Sequence, residues 1–141
     1  MRLFLDTTVV LSAILFPDGR TAAFVRRAIT DHTILLSDYV VEELRTVFTR
    51  KFPAKVDVLE KFLAELSFET IDVPVVRIAS GHPGLRDPKD APIVEDAIKS
   101  GCDYLITGDK DLHVLEREGP PKIVAPGAFL AMDEASTDEP E

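Results

Sequence analysis

Asp6, Glu43, Asp90 and Asp109 are spread over most of a 141-residue chain, and each stands where a carboxylate is awkward unless it has a task. Asp6 closes the apolar run Leu3-Phe4-Leu5, and Asp109 follows Tyr104-Leu105-Ile106-Thr107-Gly108. Glu43 and Asp90 fall on or beside the inward faces of two predicted helices. In a parallel α/β sheet, ligands bind in the crevice outside the carboxyl ends of the strands. Acids converging there from distant parts of a chain make an oxygen-rich pocket. That is the donor set preferred by hard cations such as Mg²⁺ or Mn²⁺. The chemistry to expect is metal-assisted cleavage of a phosphodiester.

Helical phase separates these acids from their neighbours. At about 100° per residue, Val40, Val41, Leu44, Val47 and Phe48 share one direction. Glu42 points roughly 160° from it, whereas Glu43 flanks the stripe at about 100°. On the later helix the buried face is read from Ala91, Val94, Ala97 and Ile98. Asp90 lies about 50° from its centre and Asp96 almost opposite, so Asp90 is preferred. Plainer readings exist for each acid. Asp6 and Asp90 suit helix N-caps, Glu43 could pair with Arg45 or Arg50, and Asp109 could be a turn residue. The set of four at related positions, without a basic partner built into each, outweighs them.

The elements that must position these side chains follow from hydrophobic period and breakers. Residues 2–5 read as a buried strand leading directly into a helix over 7–15, and Pro17-Asp18-Gly19 as a turn. A helix over 21–31, a strand over 33–36 and a helix from Ser37 or Asp38 to about Arg50 follow. Next come a helix over about 55–66, an extended segment over 68–75 and a loop over 80–88. A helix over about 90–100 ends at Gly101. Residues 103–107 form a strand, 110–117 a short helix, 122–125 a last strand, and Pro126 opens a small helix. Strands alternating with helices predict one three-layer α/β/α domain with a central parallel sheet, over residues 1–131. Residues 132–141 read as an acidic, disordered tail.

Composition narrows the class. One cysteine, Cys102, excludes an intramolecular disulfide and suits a reducing cytoplasm. His32, His82 and His113 share no zinc-ligand spacing. The stretch from Val9 to Phe16 imitates a short signal peptide, but Asp6 interrupts the apolar run and no small-residue cleavage site follows. No run approaches the roughly 18 apolar residues of a membrane span, so the expectation is a cytoplasmic protein without a membrane partner. The net charge is −9, and five of those charges lie in residues 133–141, leaving −4 for the remainder. That balance excludes a broad basic footprint for nucleic acid but leaves room for a small RNA-cleaving site.

With these residues in view the chain resembles a known family. Asp6-Thr7-Thr8-Val9, Ser37 with Glu42-Glu43-Leu44 and Arg50-Lys51, Arg86-Asp87-Pro88-Lys89-Asp90, and Leu105 to Leu112 around Thr107-Gly108-Asp109-Lys110-Asp111 are similar to PIN-domain ribonucleases, in particular VapC-like toxins of toxin–antitoxin pairs. The similarity runs from about Arg2 to Leu130. It implies a Mg²⁺- or Mn²⁺-dependent endoribonuclease acting on single-stranded RNA, with Asp6, Glu43, Asp90 and Asp109 as catalytic and metal-binding acids. Thr107 and Asp111 would support them. It also implies an antitoxin partner and a homodimer. The family usually carries Asn two residues after the first Asp; Thr8 stands there, with a hydroxyl but not the amide's pair of donors.

Arg20, Arg50, Lys51, Lys89 and Lys110 are the candidate phosphate contacts. Two rival readings are an inert PIN-like binding module and a haloacid-dehalogenase-like phosphohydrolase. The latter scheme needs a second acid two residues after Asp6, where Thr8 stands.

Overall fold

The computed structural model describes residues 1–66, 68–71, 91–113, 119 and 121–137. Its first strand, β1 (Arg2–Leu5), has Leu3, Phe4 and Leu5 fully buried. A strand apolar on both faces belongs in the middle of a parallel sheet covered on two sides. The sheet order among the described residues is β3-β2-β1-β4-β5, every pair parallel. The remaining strands are β2 (Thr33–Ser37), β3 (Phe68–Ile71), β4 (Tyr104–Ile106) and β5 (Lys122–Val124). Helices cover the sheet in the expected three-layer α/β/α arrangement.

The chain leaves β1 toward β2 on one side and returns on the other side as β4. The strand order therefore reverses between β1 and β4. Such a switch point opens a crevice at the carboxyl ends of the two strands. Leu5 pairs with Ile106 in register, so Asp6 and Thr107 emerge beside each other.

Local signals account for the helices. α1 (Thr7–Leu15) and α2 (Arg20–Asp31) follow β1, and α2 buries Ala22, Phe24, Val25 and Ala28 on one face. α3 (Asp38–Lys51) starts without a loop after β2, because the buried Ser37 hydroxyl accepts the Val40 amide at 3.1 Å. That is an N-cap bond, worth about 1 kcal/mol. Val40, Leu44 and Phe48 recur at helical spacing and are fully buried. A 3₁₀ turn at Pro53–Lys55 leads into α4 (Val56–Glu65). α5 (Ala91–Ser100) ends at Gly101, whose φ of 68° is the left-handed conformation that favours glycine. α6 (Lys110–His113) and α7 (Pro126–Thr137) complete the described elements. The expected extension of β3 to residue 75, the 80–88 loop and the end of the short helix lie outside the described residues.

One expectation is corrected at the carboxyl end. Residues 132–137, read as the start of a disordered tail, continue α7. Docking explains it. The Phe129 ring packs edge-on against Phe24, His32 and Tyr104 at centroid distances of 5.2–5.7 Å. One turn later Asp133 accepts a hydrogen bond from Arg27 Nε at 3.0 Å and lies 3.2 Å from His32 Nε2. Burial pushes the Asp133 carboxyl up, but hydrogen bonds from His32 and Arg27 outweigh it and hold the group below its ordinary range. Among the described residues no single helix is long and apolar enough to cross a membrane.

Candidate active site

Asp6 occupies the N-cap position of α1, yet its side chain makes no capping hydrogen bond to that helix. The plain capping role therefore does not describe it. Its Oδ2 instead accepts from the Thr107 hydroxyl at 2.5 Å and from the Thr8 hydroxyl at 3.0 Å. The residue is 3% exposed. No basic side chain pairs with it among the described residues. Burial pushes its carboxyl above the usual range. The Thr107 and Thr8 hydroxyls and the Thr7 amide pull it down, and the charge of Asp109 adds to the rise.

Asp109 is brought to the same edge by the turn after β4. The Thr107 hydroxyl accepts the Asp109 amide at 3.0 Å while donating to Asp6. One side chain thus holds both acids in relation to each other. The Thr107 carbonyl in turn accepts a hydrogen bond from His113 Nε2 at 2.6 Å, tying α6 back to the turn. The ring's role as donor follows from its partner being a carbonyl. Zinc-ligand spacing, the criterion that sets the histidines aside, does not reveal His113. Its position four residues after Asp109, in a short helix leaving the same turn, was the available signal.

Glu43 stands six residues beyond the Ser37 cap, about 9 Å along α3 at 1.5 Å per residue. It is half-buried and Glu42 is exposed, as the helical phase required. Arg45, one of its suggested partners, is engaged elsewhere, in a two-pronged bond to Glu60 at 2.8 and 3.2 Å. Glu43 lines an open groove of about 530 Å³ with Tyr39, Glu42, Val47, Arg50 and Lys51. Asp109 lines a separate pocket of about 360 Å³ with Thr8, Val9, Ser12, Thr21 and Pro126. The described residues gather no three acidic, histidine or cysteine side chains at metal-binding distance. Asp6 and Asp109 come together; Glu43 lines its own groove. Asp90 and Lys89 lie outside the described residues. Asp111 falls within α6, and Arg20 and Lys110 are exposed at the first residues of α2 and α6.

Asp96 requires a correction. It was expected to point into water and is 1% exposed. The buried face of α5 is set by Ile93, Val94 and Ala97, while Ile98, counted as buried, is 40% exposed. Replacing Ile98 by Ile93 rotates the face toward Asp96, which then lies on its flank. A second buried acid was missed for that reason.

The donor set at Asp6 and Asp109 fits a hard divalent cation. It consists of carboxylate and hydroxyl oxygens, and a buried carboxylate without a basic partner gains from any cation placed against it. Thr8, a hydrogen-bond donor to Asp6, occupies the position where the phosphohydrolase scheme needs a second acid.

The PIN domain family model matches residues 2–111. Among solved structures, the fold is similar to that of a chain of VapBC2 from Rickettsia felis, determined bound to a DNA fragment from their promoter. The TM-score is 0.64 at 17% identity, over 89% of this chain and 98% of that one. No curated protein matches the sequence. With four-fifths of the described fold, the β1–β4 crevice and both of its acids inside the matched span, the chain belongs to the PIN domain family.

Proposed function

We propose that the protein is a divalent-metal-dependent endoribonuclease that hydrolyses single-stranded RNA with Mg²⁺ or Mn²⁺. One observation carries this reading: a buried carboxylate, Asp6, without a capping role and without a basic partner among the described residues, is bridged through Thr107 to the turn that carries a second acid, Asp109, at the strand switch point. Proteins of the PIN domain family are generally nucleases, which agrees with it.

Asp6 and Asp109 would hold the cation, with Glu43 and Asp90 completing the acidic set. A bound divalent ion supplies charge against a phosphate oxygen and makes an attacking water more acidic. The protein's own contribution is positional. Thr107 and Thr8 fix the Asp6 carboxylate in one orientation. Glu43 would orient or deprotonate the water from the α3 side. Arg50 and Lys51 share the Glu43 groove, where they would meet backbone phosphates flanking the cut; Arg20, Lys89 and Lys110 are further candidates. Attack by water leaves a 5′-phosphate and a 3′-hydroxyl.

The similarity to a VapBC2 chain supports a further assignment, the toxin of a toxin–antitoxin pair with a cognate antitoxin; the same reading takes the protein to act in the cytoplasm as a homodimer. Purified protein with Mn²⁺ should cut single-stranded RNA, stop on addition of EDTA, and produce 5′-phosphorylated fragments. Asp109→Asn should lower the rate by about a hundredfold or more, through lost transition-state charge stabilisation. Metal-independent cleavage, or full activity in Asp109→Asn, would overturn the reading.

A further inference from the structure

The pocket that Asp109 lines is also lined by three hydroxyl-bearing residues from two helices. Thr8 and Ser12 stand four residues apart on α1, hence on one face, and Thr21 lies in the first turn of α2. Val9 and Pro126, both buried, add apolar surface. The Thr8 hydroxyl is committed to Asp6. The Ser12 and Thr21 hydroxyls bond no protein group among the described residues. This is not the habit of helical hydroxyls here. Thr30 donates to the Arg26 carbonyl at 3.3 Å and Ser100 to the Ala97 carbonyl at 2.7 Å, the usual recourse of such residues. Two half-buried hydroxyl-bearing residues from different helices therefore line one cavity with donor and acceptor capacity to spare.

We propose that Ser12 and Thr21 read the sugar of the substrate, hydrogen-bonding the ribose 2′-hydroxyl of a nucleotide seated beside Asp109; this rests on the ribonuclease reading above. The chemistry selects the ligand. Neutral hydroxyls do not balance a phosphate, whose usual partners are Arg, Lys and backbone amides. They match a neutral hydroxyl, which can donate to one and accept from the other. The 2′-hydroxyl is the group by which a protein distinguishes RNA from DNA. A volume of about 360 Å³ falls within the ordinary range for small-ligand pockets, about 300–1,000 Å³, and the apolar surface of Val9 and Pro126 suits a sugar face.

The test measures kcat/KM in Mn²⁺ on a single-stranded RNA and on the same strand carrying one 2′-deoxy nucleotide at each position in turn. Wild-type protein should lose about fivefold at one position next to the cut, as for one or two ordinary hydrogen bonds. Ser12→Ala and Thr21→Val should each lose a similar factor on the all-RNA strand and nothing further on the strand deoxy at that position. Thr21→Ser, which keeps the hydroxyl, should retain the wild-type pattern. If both variants keep the wild-type ratio between the two strands, the sugar assignment is overturned and the nuclease stands. Equal cutting of RNA and DNA by wild type has the same meaning. A wild type that cuts no RNA overturns both.

Discussion

The Thr107 hydroxyl donates to the Asp6 carboxylate at 2.5 Å across 101 residues of sequence. Since the same oxygen accepts the Asp109 amide, Thr107 sets the relation between the two acids of the site. Thr107→Val keeps the shape and removes both bonds. It should lower kcat/KM on RNA by about tenfold, as expected when two ordinary hydrogen bonds are lost. Thr107→Ser should stay within about threefold. Equal activity of all three proteins would show that the acids hold their places without this bridge.

The Asp6 carboxyl gives stability a sign in pH. Its folded-state pKa is raised, by burial first and least by Asp109, so the native state binds more protons than the unfolded one across that window. Its contribution is complete below the ordinary aspartate range and is lost as pH rises through the folded pKa. Thermal melts in EDTA should therefore show Tm falling above that range, and Asp6→Asn should flatten the fall and raise Tm at neutral pH. Divalent metal should restore wild-type stability by about 2.7 kcal/mol at a hundredfold excess over Kd. An Asp6→Asn protein that melts lower than wild type in EDTA at neutral pH, with its Mn²⁺ shift intact, would make Asp6 a structural residue.

Glu43 and Glu42 adjoin in sequence and differ in burial. Glu43→Gln should reduce cleavage by about tenfold or more, the scale of a lost general-base or metal-orienting group, with Glu42→Gln near wild type. Matched rates for the two variants would separate the α3 groove from catalysis. Asp96 does not serve as a solvent-exposed control for Asp90, because it is buried.

Asp133 tests the docking of α7. Its lowered pKa means a contribution present above the ordinary carboxylate range and lost as pH falls through the folded value. Asp133→Asn should cost about 1 kcal/mol, or roughly 4 °C in Tm, at neutral pH. RNA cleavage should not change. The difference from wild type should vanish in acid, and a constant difference at all pH values would assign the effect to packing.

The sequence was most legible where one cause acts alone. Unbroken apolar runs located β1, β2 and β4, Ser37 marked the start of α3, and Gly101 marked the end of α5. Asp6 and Asp109 were legible because a strand end fixes the edge on which a side chain emerges. Asp96 was not, since a ten-residue helix with apolar residues all around its first turns leaves its phase to its neighbours. The length of α7 depends on Arg27 and His32, more than 100 residues earlier, and no local signal in residues 132–137 reveals that. The Thr107 hydroxyl was expected in support; that it serves both acids at once follows from the β1–β4 register.

A site shared between β1 and β4 has a consequence for synthesis. The chain is made from the β1 end, and about 100 residues must follow Asp6 before Thr107 and Asp109 exist. At about 5–20 residues per second that is roughly 5–20 s during which β1 has no β4 to pair with. The two acids that would share a metal therefore cannot meet until β4 has been made and has paired with β1, so the proposed site is assembled only after most of the chain exists.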